Sequence, residues 1–411
     1  MLDIKLIREN PDRVKRGLFS KRADPALVDQ FLALDEEWRN LTKESENLRA
    51  QQKKLSGQDV AEEARKIKSL FQELDTKLAA VAAKRDSLLL EFPNIPFDDA
   101  LVGKDESENR VVREAGDKPD FRKFEPKDYL TLAKIHDLID IDRAGVVSGS
   151  RFGYLKNEAV LIEFALIELA FKTAIKAGFT PMIPPVMIRP EIMQNMGKGK
   201  FIEEHDAFYV AEDNLYLVGS SEHSIGPYHQ DFIFNENDLP KRYVGFSTCF
   251  RREAGSYGKD TKGILRVHQF DKVEMLAFSK PEESEGHHIF MVNLQEELMK
   301  KLELPFRVME ICTGDMTFAD ARQFDIETWI PSENRFRETH SCSNTTDYQS
   351  RGINARYRDK TDGINYVHML NGTVFAIGRT LIAIIENYQT KDGKIKIPKV
   401  LQDYVGKKEI G

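Results

Sequence analysis

Apolar residues in the first hundred positions fall on a rhythm of three and four. From Phe31 to Leu55 they stand at Phe31, Leu34, Trp38, Leu41, Leu48 and Leu55, with Ser45 and Gln52 filling the gaps. The rhythm returns at Val60, Ala64, Ile67, Phe71, Leu74, Leu78, Val81, Arg85 and Leu88. A heptad repeat sustained this long keeps one seam of a helix turned toward a partner helix. Between the segments, Leu55-Ser56-Gly57-Gln58-Asp59 offers a helix-stopping glycine and capping Ser and Asp side chains. Two long helices joined by so short a turn predict an antiparallel hairpin over about residues 27–91. At about 1.5 Å per residue each helix would reach roughly 40 Å. Phe92-Pro93-Asn94-Ile95-Pro96 ends the second, since proline cannot continue it. The outer faces carry Arg39, Lys43, Arg49, Lys53, Lys54, Arg65, Lys66 and Lys68, interleaved with Glu44, Glu46, Glu62 and Glu63. On these residues alone the hairpin is a dimerisation or spacer coil as readily as a binding arm.

After a connector over residues 92–125 the pattern turns to mixed α and β. Lys156 to Ala177 predicts an amphipathic helix with Ile162, Ala165, Leu166, Leu169 and Ala170 on one stripe, closed by Gly178. Phe179 to Ile188 is proline-rich and extended. Tyr243–Glu253 and Ile264–Phe278 predict strands joined by a glycine-bearing loop, and Asn365–Ile377 a further strand. Gly378 to Tyr388 predicts a helix with Leu381, Ile384 and Ile385 buried. Strands linked by long hairpin loops predict an α+β body on an antiparallel sheet. The expected division is an N-terminal unit over 1–100 and a second domain over 101–411. Neither GxxxxGK[ST] nor a dinucleotide fingerprint after a strand occurs, so a P-loop or Rossmann nucleotide site is not supported.

Composition narrows the classes. The 411 residues hold 60 Lys+Arg and 67 Asp+Glu, a net charge of −7. That argues against nucleic-acid binding over the whole surface but leaves room for a local basic patch. Cys249, Cys312 and Cys342 form no CxxC pair, which points away from a disulfide scaffold and toward a reducing compartment. No apolar run of about 18 residues predicts a membrane span. The opening MLDIKLIRENPDRV lacks the apolar core of a secretory signal, so the expected location is the cytoplasm, with no membrane partner.

Three stretches carry candidate chemistry. In the hairpin Cys249–Glu274, Arg251 and Glu253 are two apart on one predicted strand, and Phe270 and Glu274 four apart on the other, so each pair shares a face. Between them Gly255, Gly258 and Gly263 accompany Lys259, Lys262 and Arg266, a loop suited to a polyanion. A solvated hairpin with a surface ion pair fits equally. Phe336–Asn344 gathers Glu338, Thr339, His340 and Ser341, and carboxylate plus hydroxyl is what Mg²⁺ uses near phosphates. A polar strand end fits that stretch equally. Arg379 opens a helix, where the macrodipole disfavours a cation unless an anion sits there or water solvates it.

Taken together these stretches resemble the seryl-tRNA synthetase family of class II aminoacyl-tRNA synthetases over essentially the full length. MLDIKLIRENPDRVKRGL and the arm are similar to the family's opening, Gly178–Met187 to its motif 1, Thr248–Met275 to motif 2 and Asn371–Gln389 to motif 3. The resemblance implies a class II catalytic domain behind a coiled-coil arm. It implies activation of L-serine with ATP to seryl-adenylate and transfer to the 3′ end of tRNA(Ser), with tRNA(Sec) as a further acceptor it admits. A carrier-protein ligase derived from the seryl type would lack the arm. The resemblance assigns catalysis to Arg251, Glu253 and Arg379. It assigns ATP to these and to Arg252, Val267, Phe270, Glu338, Thr339, His340 and Ser341. Serine falls to Ser220, Ser221, Glu222, Arg251, Glu274 and Thr373. Glu338 and Ser341 would hold Mg²⁺, and no zinc is expected, since His223, His229, His268 and His340 lack metal spacing. Lys53, Lys54, Arg65 and Lys66 would touch tRNA, and motif 1 around Pro185 would form a homodimer. The chain departs from the family pattern at Ser220, where Thr is commoner, at His223-Ser224, and at Arg351-Gly352, where two arginines are common.

Overall fold

The structure, a computed structural model, describes residues 1–54, 61–255 and 262–411, and only the backbone at 54 and 61–65. The expected turn at Leu55–Asp59 and Lys259 of the glycine-bearing loop lie outside the described residues. The chain divides into two compact units, Met1–Ile95 and Pro96–Gly411.

The first unit is helical: α1 (Ile4–Glu9), α2 (Pro11–Ser20), α3 (Ala26–Lys54) and α4 (Ala61–Leu90). Asp3 caps α1 by accepting from the Lys5 N–H, and Pro11 opens α2, where its missing N–H costs nothing. The antiparallel α3–α4 hairpin follows the predicted seam, with Phe31, Ile67, Leu74 and Val81 buried. One buried group on it departs from the apolar pattern. Asp35 is fully buried, and Arg8 grips it with Nε at 2.8 Å and Nη2 at 2.7 Å. Arg39 and Arg85 stand 3.2 and 3.9 Å away. Burial pushes the Asp35 carboxyl up, but these guanidinium groups hold it below its ordinary value. Arg85, the polar residue on the predicted seam, also lies 4.1 Å over the Trp38 ring, so it serves the base of the hairpin twice.

The second unit is built, among the described residues, on an eight-stranded sheet. Its strands are β1 (Arg110–Ala115), β2 (Thr180–Met182), β3 (Lys241–Phe250), β4 (Gln269–Ser279), β5 (Phe306–Glu310), β6 (Arg322–Ile330), β7 (Arg335–Asn344) and β8 (His368–Ala376), in the order β1-β5-β6-β7-β8-β4-β3-β2. The pairings are antiparallel except β2 with β3. Three long helices, α5 (Glu158–Lys176), α9 (Ser284–Lys301) and α11 (Ile377–Asn387), bury their apolar stripes in one core with the sheet. Four short helices matter below: α6 (Pro190–Asn195), α7 (Gly199–Glu203), α8 (Glu222–Ile225) and α10 (Tyr348–Ile353). Alternation along β4 sets the two faces. Val273, Met275 and Ala277 join the core, while Phe270, Lys272 and Glu274 line a cleft. No helix among the described residues is long and apolar enough to cross a membrane.

Several predicted boundaries move. The strand expected over Tyr243–Glu253 stops at Phe250, and the one expected over Ile264–Phe278 begins at Gln269. The stretch Asn365–Ile377 divides at Val367 into two strands. Within Phe179–Ile188, ladder pairing forms at Thr180–Met182 and Met187–Ile188. Gly178 closes α5 with φ +87°, a left-handed conformation that costs glycine least.

Candidate active site

The cleft on the open face of the sheet has a volume of about 490 Å³. Arg251, Glu253, Val267, Phe270, Glu274, Glu338, Thr339, Ser341, Thr373 and Arg379 line it, together with Ser220 and Glu222. Residues scattered over some 160 positions of sequence thus meet in one concavity, floored by β4, β7 and β8.

Arg251 and Glu253 reach it by a different route from the predicted one. They share no strand face, because β3 has ended. The Arg252 N–H donates to Asp206 O at 2.8 Å and the Ala254 N–H to Asp206 Oδ1 at 3.1 Å, drawing the chain off the sheet. Glu253 takes φ +54°, a conformation uncommon for glutamate that recurs at functional sites. Its Oε2 meets Arg266 Nη1 at 2.8 Å. Arg251 is fixed by its Nε donating to Gly219 O at 3.2 Å and by its guanidinium lying 5.4 Å from the Phe270 ring centre. The His268 ring nitrogen Nδ1 stands 3.0 Å from Arg251 O, and the Arg251 N–H donates to His268 O at 3.0 Å.

Three expected residues lie off the cleft wall. Arg252 turns outward, donating to Ala207 O at 3.2 Å and covering the Phe208 ring. The Ser221 hydroxyl, fully buried, points to Gly245 O. His340 alternates to the core face of β7 and packs on Phe375, held neutral by burial, which pushes its pKa down to about 4. Its neighbour Thr339 reaches the cleft with its Oγ1 2.7 Å from Thr328 Oγ1. Of the expected arm contacts, Lys53 and Lys66 are exposed, and the side chains of Lys54 and Arg65 lie outside the described residues.

One end of the cleft is a carboxylate pocket. Glu274, 2% exposed, accepts from Thr373 Oγ1 and Ser220 Oγ, each at 3.4 Å, and forms an ion pair with Lys272. Burial pushes its carboxyl up, and Lys272 opposes that. Glu222, also buried, accepts from Gln349 Nε2 at 2.7 Å and meets Lys198 Nζ at 3.1 Å. Burial there is outweighed by Lys198 and its neighbours, which hold Glu222 ionised at about 2. Ser220 keeps the hydroxyl of the commoner Thr, accepting from the Glu222 N–H at 3.2 Å. His223 accepts the Gly219 N–H at Nδ1 and is held neutral by burial at about 3. The departure at Gly352 also has a cause. A Cβ there would stand 1.8 Å from Asn195 O, so α10 packs on α6 too closely for arginine.

At the other end Arg379 Nη1 donates to Glu338 O at 3.0 Å and stands 3.2 Å from Glu338 Oε2. Asp325 faces Ser341 across the β6–β7 ladder, with Gln323 Nε2 3.0 Å from its Oδ1 and 3.3 Å from Ser341 Oγ. Burial and nearby Glu338 push the Asp325 carboxyl well above its ordinary range. Desolvation pushes Glu338 up as well, but Arg379 holds it below its ordinary value. Two carboxylates that repel one another, with a hydroxyl beside them in a polar cleft, fit a hard divalent cation. Lys198, Lys272 and Asp325 escaped sequence reasoning. Lys272 and Asp325 alternate in register with Glu274 and Gln323, a signal that becomes readable only once the cleft face of each strand is known.

Residues 208–388 match the tRNA synthetase class II core domain (G, H, P, S and T), and residues 1–96 the seryl-tRNA synthetase N-terminal domain. A serine–tRNA ligase of Dictyoglomus turgidum is 44% identical, covering 100% of this chain and 99% of that protein. The crystal structure of seryl-tRNA synthetase from Pyrococcus horikoshii complexed with ATP superposes with a TM-score of 0.94 at 41% identity, covering 100% and 99%. A cytoplasmic serine–tRNA ligase from Naegleria fowleri in complex with AMP gives 0.91 at 32% identity, covering 100% and 98%.

Proposed function

We propose, from the premise that this chain belongs to the seryl-tRNA synthetase family of class II aminoacyl-tRNA synthetases, that it is a serine–tRNA ligase using ATP. The observation that carries this reading is the meeting, in one cleft, of a small carboxylate pocket with an arginine-lined polyanion site. In the first step a serine carboxylate oxygen attacks the α-phosphorus of ATP, and the bond to the β-phosphate oxygen breaks to release pyrophosphate. The nucleophile is already ionised at neutral pH, so the cleft has to supply in-line positioning and charge neutralisation rather than a base. Arg251 bridges serine carboxylate and α-phosphate with its planar fork. Phe270 and Arg379 sandwich adenine beside Val267, Glu253 orients its amino group, and Arg379 also reaches the γ-phosphate. Glu338 and Ser341, with Asp325 beside them, would hold Mg²⁺, which when bound neutralises phosphate charge. Glu222 takes the serine ammonium, and Glu274 with Thr373 the hydroxyl. In the second step a terminal ribose hydroxyl of tRNA attacks the seryl carbonyl and AMP leaves. A cytoplasmic location accords with the three unpaired cysteines, which suit a reducing compartment.

The test is amino-acid-dependent exchange of pyrophosphate into ATP, run with all twenty amino acids. Serine alone should support exchange in the wild type. Arg251→Lys keeps the charge but loses the fork, so kcat should collapse while ATP affinity changes little. Exchange supported by another amino acid, or normal kinetics in Arg251→Lys, would contradict the reading.

The same reading makes the protein a homodimer through motif 1. Phe164, Ile167, Phe171, Met182 and Ile183 line an apolar groove beside exposed Pro185, and Ile183 is 84% exposed. The edge of β2 lies next to it, and an uncovered apolar edge invites pairing. Ile183→Asp paired with Phe164→Asp should give a monomer with little exchange activity. Light scattering that finds a fully active monomer would refute the interface.

A further inference from the structure

We propose that Lys198 is a positioning residue for serine, holding one oxygen of Glu222 so that the other is left to accept from the substrate ammonium. The inference rests on the role given to Glu222 above and extends it to a residue that role does not include.

Donors from three elements converge on Glu222 Oε1. Lys198 Nζ, from the link between α6 and α7, stands at 3.1 Å. Gln349 Nε2 of α10 donates at 2.7 Å, and Asn371 Nδ2 of β8 at 3.4 Å. A carboxylate has about four lone-pair sites. Crowding its donors on Oε1 reserves the capacity of Oε2 for an incoming cation in the cleft that Glu222 lines.

The backbone of Lys198 is held at both sides, so its side chain reaches Glu222 from a fixed point. Its N–H donates to Met193 O at 3.1 Å, and its carbonyl accepts from the Phe201 N–H at 3.1 Å. Gly197, just before it, has φ +71°, and a Cβ there would stand 2.9 Å from the Tyr348 ring. Tyr348 opens α10, the helix that carries Gln349 and presses Gly352 against Asn195. One packing contact therefore sets both the lysine and the amide on the same carboxylate. Such preorganisation lowers the ordering cost when substrate binds.

The charges around Glu222 make the proposal measurable. Facing it are Lys198, Gln349 and Asn371, then Lys272 of β4 and His223 of its own helix, with Arg251 and Glu274 in the same cleft and Asp320 facing Lys198. Burial raises the proton affinity of Glu222, and Lys198 is the largest opposing influence. Without Lys198 the carboxyl would protonate at higher pH, and serine binding would fail sooner as pH falls.

The experiment measures serine-dependent pyrophosphate exchange against pH for the wild type, Lys198→Met, Lys198→Gln, Lys198→Arg and Glu222→Gln. In the two neutral variants KM for serine should rise roughly ten- to hundredfold, with KM for ATP unchanged. The acidic limb of kcat/KM for serine should move to higher pH, and Lys198→Arg should return both quantities toward wild type. Lys198→Gln carries the same expectation if Lys198→Met does not fold. Glu222→Gln separates the two readings: normal serine activation there removes the role of Glu222 itself. With Glu222→Gln impaired, an unmoved acidic limb and normal KM in the neutral variants would overturn the proposal. A lowered KM would overturn it too, since the lysine would then be competing with substrate.

Discussion

Alanine is expected to be activated about 10⁴–10⁵-fold less efficiently than serine, because a site built to bond a hydroxyl rejects the analogue without one. The proposed acceptor is Glu274. It is 2% exposed, with Lys272 beside it and the Thr373 and Ser220 hydroxyls each 3.4 Å from its Oε2. Those long contacts leave room for a better donor, and a substrate methyl in its place would leave a buried carboxylate under-bonded. Threonine should be refused more weakly, because an extra methyl is worth only about 1–3 kcal/mol. Glu274→Ala should lose serine activation and still bind ATP, since Glu274 bonds to Thr373, Ser220 and Lys272, none of them assigned to ATP. The measurement is kcat/KM in pyrophosphate exchange for the three amino acids. Alanine within tenfold of serine, or normal serine activation in Glu274→Ala, would remove Glu274 from the pocket.

Shortening the arm should abolish tRNA charging and leave serine activation intact. Every residue of the cleft belongs to the second unit, while α3 and α4 belong to the first. The cut is best placed beyond the base. Replacing residues 43–79 with a short Gly/Ser linker keeps Phe31, Asp35, Trp38, Val81 and Arg85, so the Asp35–arginine cluster and its packing survive. Pyrophosphate exchange should then stay near wild type while aminoacylation of serine tRNA falls steeply. The proposed ligand is helical RNA read by shape and backbone. Replacing Lys53, Lys54, Arg65 and Lys66 should weaken every serine tRNA alike and flatten the log–log salt dependence by about one unit per contact. Charging retained at normal affinity in the shortened protein would return the hairpin to a structural role.

Much of the candidate site was legible in linear order. Phe270 and Glu274 share a strand face as their spacing predicts, because both lie inside β4 and pair in unbroken register with β3. Arg251 and Glu253 reach the same cleft for a reason spacing did not contain. Asp206, far off in sequence, pulls the backbone out of the sheet and sets Glu253 in a left-handed turn. Arg252, Ser221 and His340 sit among the motif residues in sequence, but their side chains point away from the cleft. Adjacent positions on a strand point to opposite faces, which is why His340 is in the core and Ser341 in the cleft.

Features that rest on local periodicity and backbone chemistry can be read from the linear order of residues. The α3–α4 seam, the helix closed by Gly178 and the apolar stripe of α11 all appear where short-range pattern placed them. Arg251, Glu338 and Arg379 were assigned through their resemblance to family motifs, since their charge and spacing alone fitted a solvated surface as well. The partners of these residues come from packing. The pairing of Lys198 with Glu222, of Lys272 with Glu274 and of Arg8 with Asp35 depends on which faces the packed elements bring together. A buried charge is tolerated only beside a compensating one, and that compensation is a property of three-dimensional proximity, which no local pattern encodes.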